Sequence, residues 1–194
     1  MPAPPILAAL AVTLVASPAL ADVPRYLPLH DVAVAYHAST DKGGTDALAR
    51  WSSTLGMARV EGGPGYALVN PRTGQTTLVL EQQRFMVDLA NTDTNAQAYL
   101  PGPGARFTRG ATDTVAGYAC TNWTVTTDKG RGVACLTDDG VVLRAKGIDN
   151  RGHNGMVEAT SVTYAAQPDN LFRPPAGTGK LQIPRDIAKQ LLGR

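Results

Sequence analysis

Three alternating segments between Tyr118 and Lys146, joined by short glycine turns, constrain this chain more than any other feature. In Tyr118–Thr126, Trp123 and Val125 fall on one face and Cys120 and Asn122 on the other. That two-residue period belongs to a strand whose faces see different surroundings. Asp128-Lys129-Gly130 leads into Val133–Thr137, and Asp138-Asp139-Gly140 leads into Val141–Lys146. An Asp-Gly step between alternating segments is a strong hairpin signal, because these residues accept the positive backbone angles of tight turns.

The same grammar extends toward the N-terminus. Val32, Val34 and Tyr36 alternate within Asp31–Ser39. Leu48, Trp51 and Leu55 also satisfy helical spacing, but Ser52, Ser53, Thr54 and Gly56 weaken a helix. Two short strands, Ala49–Ser53 and Met57–Glu61, are the better reading. Beyond Gly62-Gly63-Pro64-Gly65 come Tyr66–Val69, Thr76–Leu80 and an alternating Phe85, Val87, Leu89, with turn chemistry at Asn70–Gly74. Asn91–Gly104 reads as a polar loop or short helix, Gly147–Gly155 as a polar connection and Met156–Ala165 as a long strand. Pro168–Pro175 reads as extended, and Pro184–Leu192 as one short helix. The sum is roughly nine to eleven strands, mostly meandering, which must curl or close to protect their edges.

At the N-terminus an apolar run from Ile6 to Ala16 is followed by Pro18 and Ala19-Leu20-Ala21. Small residues at both outer positions of that tripeptide mark an export signal cleaved after Ala21. The run is shorter than the ~20 residues that span a bilayer. The expected mature chain, residues 22–194, is one domain exported from the cytoplasm, without a transmembrane segment. Its formal charge of +2 carries no basic stripe, which argues against a nucleic-acid partner. Lys129 and Arg131 around Gly130 read as a solvated hairpin tip rather than a phosphate site.

Cys120 and Cys135 are the two cysteines. An even count in an exported chain favours an internal disulfide. Metal ligation is the alternative, and two thiols without neighbouring His or Cys fall short of a four-ligand site.

Tyr36, Trp51, Met57-Ala58-Arg59-Val60-Glu61 and the run Thr114-Val115-Ala116-Gly117-Tyr118-Ala119-Cys120-Thr121-Asn122-Trp123 carry a family resemblance. Cys135-Leu136-Thr137 and Phe172-Arg173-Pro174-Pro175-Ala176-Gly177 complete it. Together they resemble the periplasmic lipoprotein-carrier superfamily of the LolA and LppX type, most of all an exported bacterial branch known as a domain of unknown function. The resemblance implies a mainly β fold: a strongly curved antiparallel sheet forming an unclosed half-barrel, with few short helices. In the carrier families the concave face is apolar and holds acyl chains.

Trp51, Met57, Phe85, Met86 and Trp123 are the candidate ligand-lining residues, since methionine and aromatic side chains suit irregular apolar cavities. Ordinary core packing is the competing reading for each. His30, His37 and His153 show no metal-ligand spacing, and no serine stands in a Gly-x-Ser-x-Gly elbow. Asp138-Asp139-Gly140 lacks the spaced ligands of a calcium loop. Gly177-Thr178-Gly179-Lys180 is followed by Leu181 where a phosphate loop needs Ser or Thr. No catalytic residue, metal or cofactor is assigned. The expected function is a periplasmic binding or carrier protein that shelters an apolar ligand, such as an acyl chain or lipoprotein anchor. The alternative is a non-catalytic envelope module with a filled core that docks a protein partner.

Overall fold

A computed structural model describes residues 23–41, 43–89, 104–128, 130–149 and 152–181. The export signal, the stretch Asn91–Gly104 (Gly104 apart) and the helix read over Pro184–Leu192 lie outside the described residues. The strands are β1 (Val32–Thr40), β2 (Gly43–Ser52), β3 (Met57–Gly62), β4 (Gly65–Asn70), β5 (Gln75–Leu80) and β6 (Phe85–Asp88). Then come β7 (Arg106–Val115), β8 (Tyr118–Thr127), β9 (Gly130–Leu136), β10 (Val142–Asp149), β11 (Asn154–Tyr164) and β12 (Gly179–Leu181). They form one sheet of 12 strands in the order β12-β6-β5-β4-β3-β2-β1-β11-β10-β9-β8-β7. Two sequence-local meanders, β1–β6 and β7–β11, therefore meet along a single antiparallel seam, from Val32 opposite Tyr164 to Thr40 opposite Gly155. The sheet stays open, with β12 and β7 at its edges.

Side-chain reach reveals how sharply the sheet bends. Arg144 on β10 pairs with Asp113 on β7, across β9 and β8. In a flat sheet those strands would stand roughly 14 Å apart. The Tyr118 hydroxyl of β8 likewise donates to the Val162 carbonyl of β11 at 3.5 Å. Register shifts on β7 (Arg109/Thr112), on β10 (Val142/Arg144) and at the β1–β11 seam (Ala35/Tyr36) supply local bends. The result is the strongly curved, unclosed half-barrel that the family resemblance implies.

Antiparallel neighbours alternate in direction, so the starts of β1, β8 and β10 share one end with the finishes of β2, β7, β9 and β11. Val32, Val34, Trp51, Val115, Cys120, Cys135, Val141, Leu143 and Ala159 are buried there as the main core. Tyr66, Leu68 and Val79 form a second cluster on β4 and β5, with Met57 and Met86 packed against it.

After β11 the chain turns back across the first meander. Arg59 donates to the Leu171 carbonyl at 2.9 Å, and the Tyr66 hydroxyl to the Arg173 carbonyl at 3.4 Å. Arg50 reaches the Gln167 side-chain oxygen at 3.3 Å. Phe172 is buried beneath this tail. Pro168–Pro175 is not wholly extended, as read from sequence. The Leu171 amide donates to the Pro168 carbonyl at 3.0 Å, closing a 3-10 turn over Asp169–Phe172 that brings Phe172 inward.

Other departures have equally local reasons. β7 went unread because its exposed edge position removes the apolar alternation: nearly every residue from Arg106 to Thr114 faces solvent or is half-buried. Of Gly147–Gly155, read as a connection, Gly147–Asp149 belong to β10 and Asn154-Gly155 to β11. Lys180, in the stretch weighed as a phosphate loop, sits in β12, paired parallel to β6, with its ammonium 2.6 Å from Asp88.

Asp31 ties three segments together. It accepts the Ser53 amide at 2.8 Å, the Ser53 hydroxyl at 2.7 Å and the Gln167 amide at 2.8 Å. Burial alone would raise its carboxyl pKa, but these donors outweigh it and hold it below the ordinary 3.8. A depressed folded-state pKa contributes stability above the unfolded value and loses it as pH falls through the folded one. Asp31→Ala is expected to cost about 1–3 kcal/mol at pH 7. Thermal unfolding of both proteins should show the gap shrinking below pH 3.8; a gap unchanged by acid would contradict this role.

Candidate ligand-binding groove

Directly paired residues share a face, so the register can be followed from β8 to β2. One row runs Thr124, Val133, Lys146, Met156, Ser39. The next runs Thr126, Arg131, Ile148, Asn154. A third joins Asn122, Cys135, Arg144, Glu158, His37 and Asp46. Alternation along β2 from Asp46 places Arg50 on the same face. This is the concave face, as the Arg144–Asp113 pair shows. Over the first meander the tail fills it. Over the second meander, at the end away from the core, no described residue covers it.

There the first two rows line a cavity of about 790 Å³, with Ser39, Thr40 and Asp41 on its β1 side. A contiguous depression of about 530 Å³ shares Val133, Lys146 and Met156, and reaches Asn122, Arg144 and Glu158. Its far wall is ionic. Arg144 binds Asp113 and stands 3.6 Å from Glu158, and the guanidinium holds the Asp113 carboxyl below its usual range. Behind that wall lies the disulfide between Cys120 and Cys135, with Cα atoms 5.4 Å apart.

On the opposite face three neighbouring strands meet in a row of glycines. Gly132 pairs with Gly147, and Gly147 with Gly155. A Cβ on Gly132 would stand 2.6 Å from the Lys146 carbonyl oxygen, closer than real contacts allow. Glycine here lets the backbones of β9 and β10 approach, which the bend beneath the cavity needs.

The five residues singled out in the sequence lie elsewhere. Trp51 is in the main core, and its buried indole nitrogen has no hydrogen-bond partner among the described residues. Met57 and Met86 support the second cluster. Phe85 opens β6 between Leu80 and Gly179. Trp123 is buried on the face opposite Cys120, with the Arg109 guanidinium 5.7 Å from its ring. None of the five lines the cavity. Arg131, Val133, Lys146, Ile148 and Met156 do; from sequence Arg131 was read as part of a solvated hairpin tip, and the other four were not singled out. Their signal was present: each alternates with a small or buried neighbour, but mixed cations and aliphatics look like an ordinary solvated face. His37 and Asp46 form an exposed pair at 2.7 Å. Among the described residues no cluster of three or more His, Cys, Asp or Glu is set to hold a metal ion, and no helix is long and apolar enough to cross a membrane.

No protein-family model matches the chain, and no curated protein matches it in sequence. Solved structures do match. An uncharacterized conserved protein from Thermus thermophilus superimposes with a TM-score of 0.56 at 10% identity, over 80% of this chain and 91% of that one. PNGF-II matches with a TM-score of 0.52 at 15% identity, over 84% of this chain but 33% of its own. The MucA/MucB complex of Pseudomonas aeruginosa matches with a TM-score of 0.50 at 15% identity, over 79% of this chain and 58% of that one. A LolA superfamily protein from Nitrosomonas europaea is a looser match, with a TM-score of 0.39 at 7% identity, over 76% of this chain and 92% of that one. At such identities the three structures with TM-scores of 0.50 or more share a fold with this chain, and the fold alone.

Proposed function

We propose that this chain is an exported binding or carrier protein that takes one lipid-like ligand into the open groove of its curved sheet. One observation carries the reading. Among the described residues, the tail or the core occupies the rest of the concave face, while a cavity of about 790 Å³ remains free. That volume falls among those of small-molecule sites. In this reading residues 1–21 are the cleaved export signal and 22–194 one domain. The disulfide fits an oxidising compartment such as the periplasm. Trp51, Met57, Phe85, Met86 and Trp123 act as packing that holds the curve, and the groove residues bind. The driving force is water leaving Val133, Ile148 and Met156, at roughly 25 cal/mol per Å² of apolar area. An acyl chain or a lipoprotein anchor fits this chemistry.

The test is native mass spectrometry of the mature protein, stripped of lipid and then offered lysophospholipids. One bound lipid per chain is expected, and its loss in Met156→Asp. Absence of any lipid adduct, with no binding in solution, would end the carrier reading.

The filled first half of the concave face favours a second reading, a module that docks an envelope protein. One matched structure is of a complex, that of MucA with MucB. Recovery of a single dominant envelope protein, unaffected by removing lipid, would favour docking over carriage.

A further inference from the structure

We infer that the ligand of this groove is a lipid with an anionic headgroup, held between Arg131 and Lys146. The inference rests on the carrier reading and adds the chemical class of the ligand.

Ion pairing on the sheet is the first argument. Arg50 and Arg59 share Glu61, Arg144 has Asp113 and Glu158, and Lys180 has Asp88. Arg131 and Lys146 line the cavity and have no acidic partner among the described residues. Arg106, opposite Thr126 on the edge strand, shares their face and also has none. Asp41, the acid on the β1 side, accepts the Asn154 amide at 3.5 Å.

Placement is the second. Arg131 pairs with Ile148, two residues from Lys146 on the same strand. The two cations are therefore diagonal neighbours across β9 and β10, with roughly 7–8 Å between backbone positions. Like charges so placed repel unless an anion lies between them, and side chains of this length can both reach one phosphate or carboxylate. Thr124 and Thr126 add hydroxyl donors on the β8 side.

The apolar surface beside them is the third. Ile148 and Met156 are 36% and 38% exposed on a concave surface, where large aliphatic side chains normally bury themselves. With Val133 they alternate with the cations, as Arg131 beside Ile148 and Val133 beside Lys146. A free anion leaves this aliphatic surface wet, and a neutral lipid leaves the cations uncompensated. An anionic amphiphile satisfies both.

The test compares two lysophospholipids of identical chain, one with a phosphoglycerol head and one with a phosphocholine head, on the delipidated mature protein. The wild type should bind the anionic lipid about tenfold more tightly, a difference of ~1.4 kcal/mol. Arg131→Gln with Lys146→Gln should abolish that preference, so that the variant binds the two lipids with equal affinity. A control pair of equal charge loss outside the groove, Arg72→Gln with Arg173→Gln, should retain it. Equal wild-type affinity for the two lipids overturns the headgroup inference and leaves the carrier reading standing. Competition by glycerol phosphate as strong as by the lipid overturns the lipid assignment in favour of a small-anion site. Binding of neither lipid overturns both.

Discussion

Replacing Cys120 and Cys135 together by alanine is expected to lower stability by about 3 kcal/mol, the loop-closure term for a bridge of this span. For a domain of this size that is a fall in Tm of roughly 6–12 °C. The bridge joins residues 15 apart, across the β8–β9 hairpin. Its place in the fold makes the effect more than local. Cys120 and Cys135 are 4% and 1% exposed, inside the main core and directly behind the Arg144 wall. Hairpin β8–β9 must hold its bend while Asp113 on β7 reaches over it to Arg144 on β10. Unfolding of the double variant, followed by calorimetry, should be compared with the wild type under reducing agent. The two should shift alike. An unshifted Tm in the variant would mean that the hairpin needs no tether.

Whereas the half-barrel was only what the family resemblance implied, the hairpins and the bridge were legible because each depends on residues close in sequence. Asp138-Asp139-Gly140 shows this best. Gly140 takes a φ of +96°, and a Cβ there would stand 2.5 Å from the Leu27 carbonyl oxygen. The sequence announced the turn, but not the N-terminal segment packed upon it. β7 was illegible for the opposite reason: an edge strand with one paired side and solvent beyond has no need of apolar alternation. The groove was illegible because a binding surface and a solvated face use the same residues. Arg131 and Lys146 look alike in sequence whether they face bulk water or a cavity. Which side of the sheet is concave, and where the tail lies on it, are long-range facts. The order of strands across the β1–β11 seam decides both, and no local pattern encodes that pairing.

Leu143→Ala should cost about 2–5 kcal/mol, the usual range for emptying a leucine site in a core. Leu143 is wholly buried and occupies the irregularity between Val142 and Arg144 on β10. The extra residue at a bulge lets Leu143 enter the core while Arg144 still faces the groove. Truncation there leaves a void beside Cys135 and Val141, with bent strands around it that cannot easily collapse. Ile148→Ala, five residues along the same strand, should cost under about 1 kcal/mol, since its side chain is 36% exposed. Ligand affinity should respond in the reverse order. Ile148→Ala weakens lipid binding measurably in a fully folded protein, whereas Leu143→Ala, measured below its lowered Tm, leaves the groove's affinity almost intact. Chemical denaturation and lipid titration of the two variants, side by side, read both quantities. If Leu143→Ala proved mild and Ile148→Ala severe for stability, the separation of a packed end from an open end along β10 would be wrong, and the groove would have to be read as core.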